Sequence, residues 1–130
     1  MGNPVDPSLL SSLDLAYIGD SVYETISRTT ALKKGSRPVN VLHRECSGRA
    51  NAVFQASMLK VLINEFTEEE AAVARRARNA EVNTKAKNAS MADYHEATAL
   101  EAVIGYLYLK EEYDRMLALI KKGWEALGKD

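Results

Sequence analysis

Hydrophobic residues recur every three or four positions along most of this chain, which is the spacing of an amphipathic α-helix. The first such run begins near residues 8–11 and continues to about Lys34, where Gly35 and then Pro38 supply a helix stop. The stripe that should face a core is Leu15, Ile18, Val22 and Ile26. Residues 1–8 hold two prolines and a glycine, and we expect them to form an irregular lead-in.

A series of shorter helical patterns follows this first run. Residues 39–47 predict a turn or two of helix, and residues 48–65 predict a longer amphipathic helix. The predicted inward face of that longer helix is Ala50, Val53, Phe54, Ser57, Met58, Val61 and Leu62. Thr67 and Glu70 have the spacing of a capping box, which predicts another helix from that point to about Ala80.

The pattern then lapses over residues 80–92, which are mostly polar and should form an exposed loop. A helix resumes at Asp93, and a last helix runs from about Glu111 to Leu127, where Gly128 ends it. Their predicted buried residues are Leu100, Ile104, Leu107 and Tyr108 in the first and Met116, Leu119, Ile120 and Trp124 in the second. Strand-like alternation and internal repeats are both absent from the sequence. We therefore predict a single all-α domain over residues 1–130.

Composition narrows the class of protein further. The 130 residues carry a net charge of −1, which argues against wholesale electrostatic binding to nucleic acid but leaves room for a local basic patch. The one cysteine, Cys46, excludes an internal disulfide and predicts a reducing, cytoplasmic location. No apolar run approaches the roughly 20 residues that span a bilayer. His43 and His95 lack the spacing of a zinc site.

Two acidic residues stand in the apolar first helix. Asp20 and Glu24 are four positions apart, so they should point to the same side, together with Ala16 and Tyr17. A carboxylate among such neighbours is costly to desolvate unless a metal ion, a cationic partner or a proton meets it. The sequence at this point leaves those three possibilities open.

Glu101 repeats this situation in a second apolar helix. Its same-face neighbours Ala97, Thr98 and Gly105 are small, so another helix or a ligand could approach closely. Two such helices packed together could place Asp20 and Glu101 on one Mg²⁺, an ion that commonly takes only one or two protein carboxylates. The alternative is that each acid caps a helix or pairs with a buried arginine.

A basic patch is the third feature that could carry chemistry. It comprises Arg75, Arg76 and Arg78, followed by Lys85 and Lys87, with asparagines at positions 79, 83 and 88 in the same stretch. Such a patch could contact the phosphates of a nucleic acid, with the asparagines bonding to sugar or phosphate oxygens. It could equally be a solvated helix end whose arginines favour the helix dipole.

Several stretches, in order, carry a resemblance to a known family. LAYIGDSVYE (15–24) resembles the signature helix of the ribonuclease III catalytic domain, and ALEAVIGYLYL (99–109) resembles the second acidic helix of that family. VNVLHRECS, FTEEEAAVARRARNA, Lys87-Asn88 and Tyr94 with Ala97-Thr98-Ala99 extend the likeness over residues 13–119. The similarity is greatest to the Mini-ribonuclease III branch, which lacks a separate double-stranded-RNA-binding domain. No such domain follows in this sequence, and we expect none.

The resemblance implies roles for particular residues. Asp20 and Glu101 match the family's catalytic acids and would bind Mg²⁺, for which Mn²⁺ could substitute. Larger members carry further acids where this chain has Leu13, Ala16 and Thr98, so its metal site should be sparse. Further roles follow for three sets of residues: supporting Glu24, Tyr94 and Thr98; RNA-binding Arg76, Arg78, Asn79, Lys85, Lys87 and Asn88; and Tyr17 and Ile18 near a homodimer interface.

The function implied is metal-assisted hydrolysis of double-stranded RNA by a homodimeric endoribonuclease. Metal held by Asp20 and Glu101 would lower the pKa of a bound water and stabilise charge on the scissile phosphate. The expected biological substrate is the duplex stalk of the 23S ribosomal RNA precursor, with a ribosomal protein as a potential presenting partner. The alternative is a non-catalytic, dimeric RNA-binding module that kept the fold, and a third hypothesis is a purely structural helical protein.

Overall fold

Six α-helices form the described part of the chain, residues 5–80 and 89–129, in a computed structural model. In chain order they are α1 (Ser12–Lys33), α2 (Val39–Ala50), α3 (Ala52–Leu62), α4 (Glu68–Asn79), α5 (Ala89–Leu109) and α6 (Tyr113–Ala126). Short 3₁₀ turns at Pro7–Leu9 and Ile63–Glu65 precede α1 and follow α3. No strand occurs within these two ranges, so the predicted all-α class is confirmed.

Helix α5 is the centre of the structure and packs against α1, α3, α4 and α6. Its middle is mostly apolar, with Thr98 and Glu101 as exceptions, because neighbouring helices cover it from several directions. Ala99 and Ala102 are fully buried, and Leu100, Val103 and Leu107 nearly so. A buried central helix of this kind fixes the positions of any polar side chain that it does carry.

Helix ends follow the capping signals of the sequence. Ser11 caps α1 by accepting a hydrogen bond from the Asp14 amide. The capping box predicted for α4 is confirmed, because Thr67 Oγ1 accepts from the Glu70 amide and Glu70 Oε1 accepts from the Thr67 amide. Arg115 on α6 donates two further hydrogen bonds to the Glu70 carboxylate, which attaches α4 to α6.

The prediction of one helix over residues 48–65 was wrong. Residues 48–50 complete α2, and the helical conformation is interrupted at Asn51. The Asn51 side chain caps α3 by accepting a hydrogen bond from the Phe54 amide. The inward face also differs, since Val53 is 63% exposed while Met58 and Leu59 are fully buried. An apolar period alone did not reveal the break, because Asn51 stops one helix and starts the next without a proline or glycine.

Two other boundaries differ from the prediction. Helix α5 begins at Ala89, so residues 89–92 of the predicted loop are helical, while residues 81–88 lie outside the described residues. Helix α6 begins at Tyr113, because Glu111 has a positive φ of 60° that helical residues do not adopt. Within the described ranges, no helix combines the length and hydropathy needed to cross a bilayer.

A buried polar cluster fixes α1 against α2 and α6. The Arg49 guanidinium, 2% exposed, donates to Ser27 Oγ and to the Ser27 carbonyl and lies 4.7 Å from the centre of the Trp124 ring. The Tyr23 hydroxyl donates to the Arg49 carbonyl at 2.6 Å and accepts from Trp124 Nε1 at 2.9 Å. Burial raises the pKa of Tyr23 to about 12, so the phenol stays protonated as this donor requires. The cluster fixes the rotation of α1 about its axis and therefore the direction in which Asp20 points.

Candidate active site

Two glycines let α1 and α5 cross with their backbones in contact. A Cβ placed on Gly19 would lie 1.8 Å from the carbonyl oxygen of Glu101, and one placed on Gly105 would lie 2.0 Å from the carbonyl oxygen of Leu15. No side chain fits either place. Because Asp20 follows Gly19 and Glu101 stands one turn before Gly105, the crossing brings the two acids together.

These acids share an open depression of about 300 Å³ on the protein surface. Its lining residues are Leu13, Ala16, Tyr17, Asp20, Tyr94, Thr98 and Glu101. Asp20 is exposed, whereas Glu101 is partly covered by the two helices. The structure therefore assembles at one place the two acids singled out in the sequence, together with Tyr94 and Thr98.

The Asp20 carboxylate influences the protonation of Glu101. Burial, a hydrogen bond with Asp20 and the negative charge of Asp20 together raise the pKa of Glu101 to about 8. The folded protein thus retains a proton on Glu101 between the ordinary glutamate pKa of 4.5 and about 8, where the unfolded chain has lost it. By linkage, this carboxyl's contribution to stability is present at low pH and is lost as the pH rises through that window.

The donor set fits a divalent cation with oxygen ligands. Asp20 and Glu101 offer two carboxylates, and the open depression leaves space for water molecules to complete the coordination. In residues 5–80 and 89–129, no cluster of three or more histidine, cysteine or acidic side chains could hold a metal. A cation here would also offset the repulsion that raises the Glu101 pKa. The composition of the site therefore suits Mg²⁺, which keeps several waters, better than zinc.

Thr98 and Ala16 add no charge to the site. The Thr98 hydroxyl donates to the Tyr94 carbonyl one turn earlier at 2.9 Å, and the Thr98 side chain is 5% exposed. Ala16 presents only a methyl group to the depression. Asp20 and Glu101 are therefore the two carboxylates among the described residues that line the depression.

Glu24 lies away from the depression, although the sequence places it on the same side as Asp20. Its Oε1 is 2.8 Å from Arg28 Nε, in an ion pair one turn apart on α1. The neighbouring Tyr17 is the most exposed aromatic of the helix at 83%, while Ile18 is half-buried beside Gly105.

The basic patch is divided by the structure. Arg75, Arg76 and Asn79 are exposed on α4. Arg78 instead points to α5, where its Nε lies 2.7 Å from Glu96 Oε1. Lys85, Lys87 and Asn88, also predicted to bind RNA, lie outside the described residues.

Sequence reasoning noticed Gly105 but not Gly19. The signal was available, because a glycine inside a helical pattern costs about 1 kcal/mol relative to alanine and so asks for a packing reason. Paired glycines next to paired acids on two helices would have pointed directly to the crossing.

The helical fold with two acids at a close crossing is that of a ribonuclease III domain, and that domain family matches residues 13–112. The chain belongs to the ribonuclease III family and is an endoribonuclease.

Its relatives include proteins named Mini-ribonuclease 3. The protein from Brevibacillus brevis is 39% identical, and the alignment covers 92% of this chain and 89% of the relative. The protein from Staphylococcus aureus is 43% identical, and the alignment covers 88% of this chain and 87% of the relative. A crystal structure of a protein from Fusobacterium nucleatum has a TM-score of 0.79 at 32% identity, covering 89% of each chain. The resemblance drawn from the sequence is therefore confirmed.

Proposed function

We propose that this endoribonuclease cleaves double-stranded RNA as a homodimer, with a divalent cation held by Asp20 and Glu101, and that it matures the ends of the 23S ribosomal RNA precursor in the cytoplasm. The observation that carries the proposal is the meeting of two carboxylates from different helices in one open depression. An isolated pair of acids at a helix crossing has no structural partner in the described residues, so a ligand is the better explanation.

The two acids would have unequal tasks. Asp20 is exposed and can receive a hydrated cation, whereas Glu101 must give up its proton before it can bind one. Cation binding should therefore release a proton and weaken as the pH falls below about 8. A bound Mg²⁺ would supply a lowered pKa for the attacking water and charge stabilisation at the scissile phosphate. Mn²⁺, which also prefers oxygen ligands, could replace it.

RNA recognition would come from exposed polar groups outside this depression. Double-stranded RNA is recognised mostly by its shape and through phosphate and 2′-hydroxyl contacts. Arg76 and Asn79 are exposed on α4, and Lys85, Lys87 and Asn88 follow in the sequence. A modest set of cations per subunit is doubled in a dimer, which agrees with a chain whose net charge is only −1.

The apolar rim of the depression supports the homodimer. Tyr17 is 83% exposed and Leu13 is 47% exposed, so a large apolar surface would face water in a monomer. A two-fold axis near Tyr17 and Ile18 would bury this surface and place two acid pairs against opposite RNA strands. A ribosomal protein that presents the RNA remains part of the proposal for the biological substrate.

Incubation with a stem-loop from the 23S precursor tests this function. We expect cuts in both strands with Mg²⁺ or Mn²⁺, none with a chelator, and none in a single-stranded RNA of the same sequence. Mapping the new ends on each strand would show paired, offset cuts if two sites act across a dimer. Cleavage that persists in the chelator would contradict the metal assignment, and cleavage of the single strand alone would contradict the duplex substrate.

The double variant Lys85→Ala with Lys87→Ala should bind duplex RNA more weakly than wild type. Its affinity should also depend less steeply on the salt concentration. Each lost phosphate contact lowers the slope of log affinity against log salt by about one. The control is the double alanine variant of Lys33 and Lys60, two exposed lysines on α1 and α3, which removes the same charge. If both double variants have the same salt slope, the residues 85 and 87 do not contact phosphate.

A further inference from the structure

Thr98 lies on α5, one turn before Glu101, and lines the same depression as the two acids. Apart from those acids and the phenols of Tyr17 and Tyr94, it is the one polar side chain that lines the depression among the described residues. Thr98 is only 5% exposed, so the small part of its surface that solvent reaches lies at this depression. A hydroxyl group is therefore buried at the edge of the acid pair.

The proton of this hydroxyl is already used. Thr98 Oγ1 donates it to the Tyr94 carbonyl at 2.9 Å. A hydroxyl group has one proton to donate and two lone pairs that can accept. Within residues 5–80 and 89–129, Thr98 Oγ1 accepts no hydrogen bond. Toward the depression, Thr98 can therefore act only as an acceptor.

Helix α5 fixes the place of this acceptor relative to Glu101. Three residues of an α-helix separate the two by about 4.5 Å along the axis and roughly 60° around it. The hydrogen bond to the Tyr94 carbonyl also holds the Thr98 side chain in one rotamer. A group that is held in this way loses little conformational entropy when it orients a ligand.

A fixed acceptor beside two carboxylates suits a water molecule that is bound to a cation. Mg²⁺ keeps several waters when only one or two carboxylates hold it. The charge of the cation acidifies those waters and makes them strong hydrogen-bond donors. Groups that accept from the ligands of a metal ion orient them, and their loss typically costs about 10–100-fold in metal affinity or activity.

We propose that Thr98 is a positioning residue, whose hydroxyl oxygen accepts a hydrogen bond from a water molecule on the cation that Asp20 and Glu101 hold. This inference rests on the proposed function, in which the two acids bind a divalent cation. Thr98 adds no charge, so it would act by orienting water. The competing explanation is that the hydroxyl serves only the helix, because threonine commonly bonds to the carbonyl four residues earlier.

Thr98→Val tests the proposal, because it removes the hydroxyl and keeps the branched shape. The Tyr94 carbonyl retains its helical hydrogen bond from the amide of residue 98, so the variant should fold. Electron paramagnetic resonance of Mn²⁺ without RNA measures cation binding directly. We expect the Kd for Mn²⁺ to rise about tenfold, and kcat in Mg²⁺ to fall by about the same factor. The KM for duplex RNA should stay within about twofold of wild type.

Two further variants separate the hydroxyl from the rest of the side chain. Thr98→Ser keeps the hydroxyl and should restore both the Mn²⁺ affinity and kcat to near wild type. The matched control is Thr30→Val, because Thr30 Oγ1 also donates to a carbonyl four residues earlier at 2.9 Å, that of Ile26. Thr30 is half-buried on α1 and does not line the depression. This control should keep wild-type Mn²⁺ affinity and cleavage.

Unchanged Mn²⁺ affinity in Thr98→Val would overturn the role of Thr98, because a hydroxyl that serves only the helix affects stability alone. Equal losses in Thr98→Ser and Thr98→Val would also overturn it, since the hydroxyl would not be the cause. Urea unfolding shows whether Thr98→Val folds; if it does not, Thr98→Ala replaces it and must show the same loss of Mn²⁺ affinity.

The proposed function fails in a different way. A wild-type protein that binds no Mn²⁺ and cuts no duplex RNA would contradict that function itself. A wild-type protein that binds Mn²⁺ and cuts RNA, beside a Thr98→Val variant that does both equally well, would contradict only the role of Thr98. The two failures are therefore distinguishable.

Discussion

Asp20→Asn is expected to reduce the cleavage of duplex RNA on the order of a thousandfold while leaving duplex binding within about twofold. The reason is that the variant would lose one of the two charged ligands that we propose for the cation, Asp20 and Glu101. The measurement is kcat with Mg²⁺ in excess, together with binding of the same RNA. Loss of cleavage with retained binding separates a nuclease from the alternative of a non-catalytic binding module. Unchanged cleavage would contradict the assignment of Asp20 as a metal ligand.

Stability provides an independent readout of the same variant. Asp20 and Glu101 repel each other when both are ionised, which is part of the reason that the Glu101 pKa rises to about 8. Asparagine removes this repulsion, so the unfolding free energy of the variant should improve relative to wild type as the pH rises from 5 to 9. Urea unfolding without metal at several pH values measures the difference. A difference that does not change with pH would show that the two carboxyls are not coupled.

Asp14→Asn is the matched control for both measurements. Asp14 is an exposed aspartate in the first turn of the same helix and does not line the depression. We expect wild-type cleavage from this variant and a stability change below about 1 kcal/mol, the size of a helix-dipole effect. A loss of cleavage as large as that of Asp20→Asn would mean that any acid in α1 is required, which would weaken the site assignment.

Gly105→Ala should have the second large effect. The added methyl would lie 2.0 Å from the Leu15 carbonyl oxygen, so α1 and α5 must separate. Overpacking of this kind costs about 1–3 kcal/mol or more, which exceeds the gain of up to about 1 kcal/mol in helix propensity. Misplacement of catalytic groups by about 1 Å can cost on the order of a hundredfold in rate. We therefore expect Gly105→Ala to have a lower free energy of unfolding than wild type. Its kcat should fall by a larger factor than the fraction of folded molecules does.

Gly48→Ala supplies the control for the helix crossing. Gly48 also lies inside a helix, α2, but a Cβ there would meet only the end of the Lys129 side chain, at 3.6 Å. This substitution should stabilise the protein by about 0.5–1 kcal/mol and leave cleavage unchanged. If Gly105→Ala behaves like Gly48→Ala, the backbone contact between α1 and α5 is not what holds the acids in place.

Asp20 and Glu101 could both be identified from the sequence as candidate site residues. Each acid was recognisable because a charged residue among apolar and small neighbours in a helix has an evident desolvation cost. The all-α class was also predictable, since an apolar period near 3.6 extends over nearly the whole chain. Thr67 and Glu70 identified a helix start because the capping box depends on groups three residues apart. All these features arise from interactions within one or two helical turns.

In α1, the hydrophobic period did not predict correctly which residues are buried. Of the predicted stripe, Leu15 is buried as expected, but Ile18, Val22 and Ile26 are only half-buried, while Tyr23 and Ser27 lie fully inside. Tyr23 is buried because Trp124 and the Arg49 carbonyl satisfy its hydroxyl, and those partners come from α6 and α2. No local pattern contains this information, because a polar group can be buried only where distant residues complete its hydrogen bonds.

The sequence by itself determined the all-α class, the two acids and the family to which the chain belongs, whereas the break between α2 and α3 was missed. The tertiary structure decided which groups lie together. Gly19 and Gly105 allow the close helix crossing that places Asp20 beside Glu101. Glu24 instead forms an ion pair with Arg28, and Arg78 forms one with Glu96. The physical reason is that helix formation depends on neighbours three or four residues apart, whereas a site depends on which helix faces touch. That choice is made by packing, at contacts some 80 residues apart in the chain.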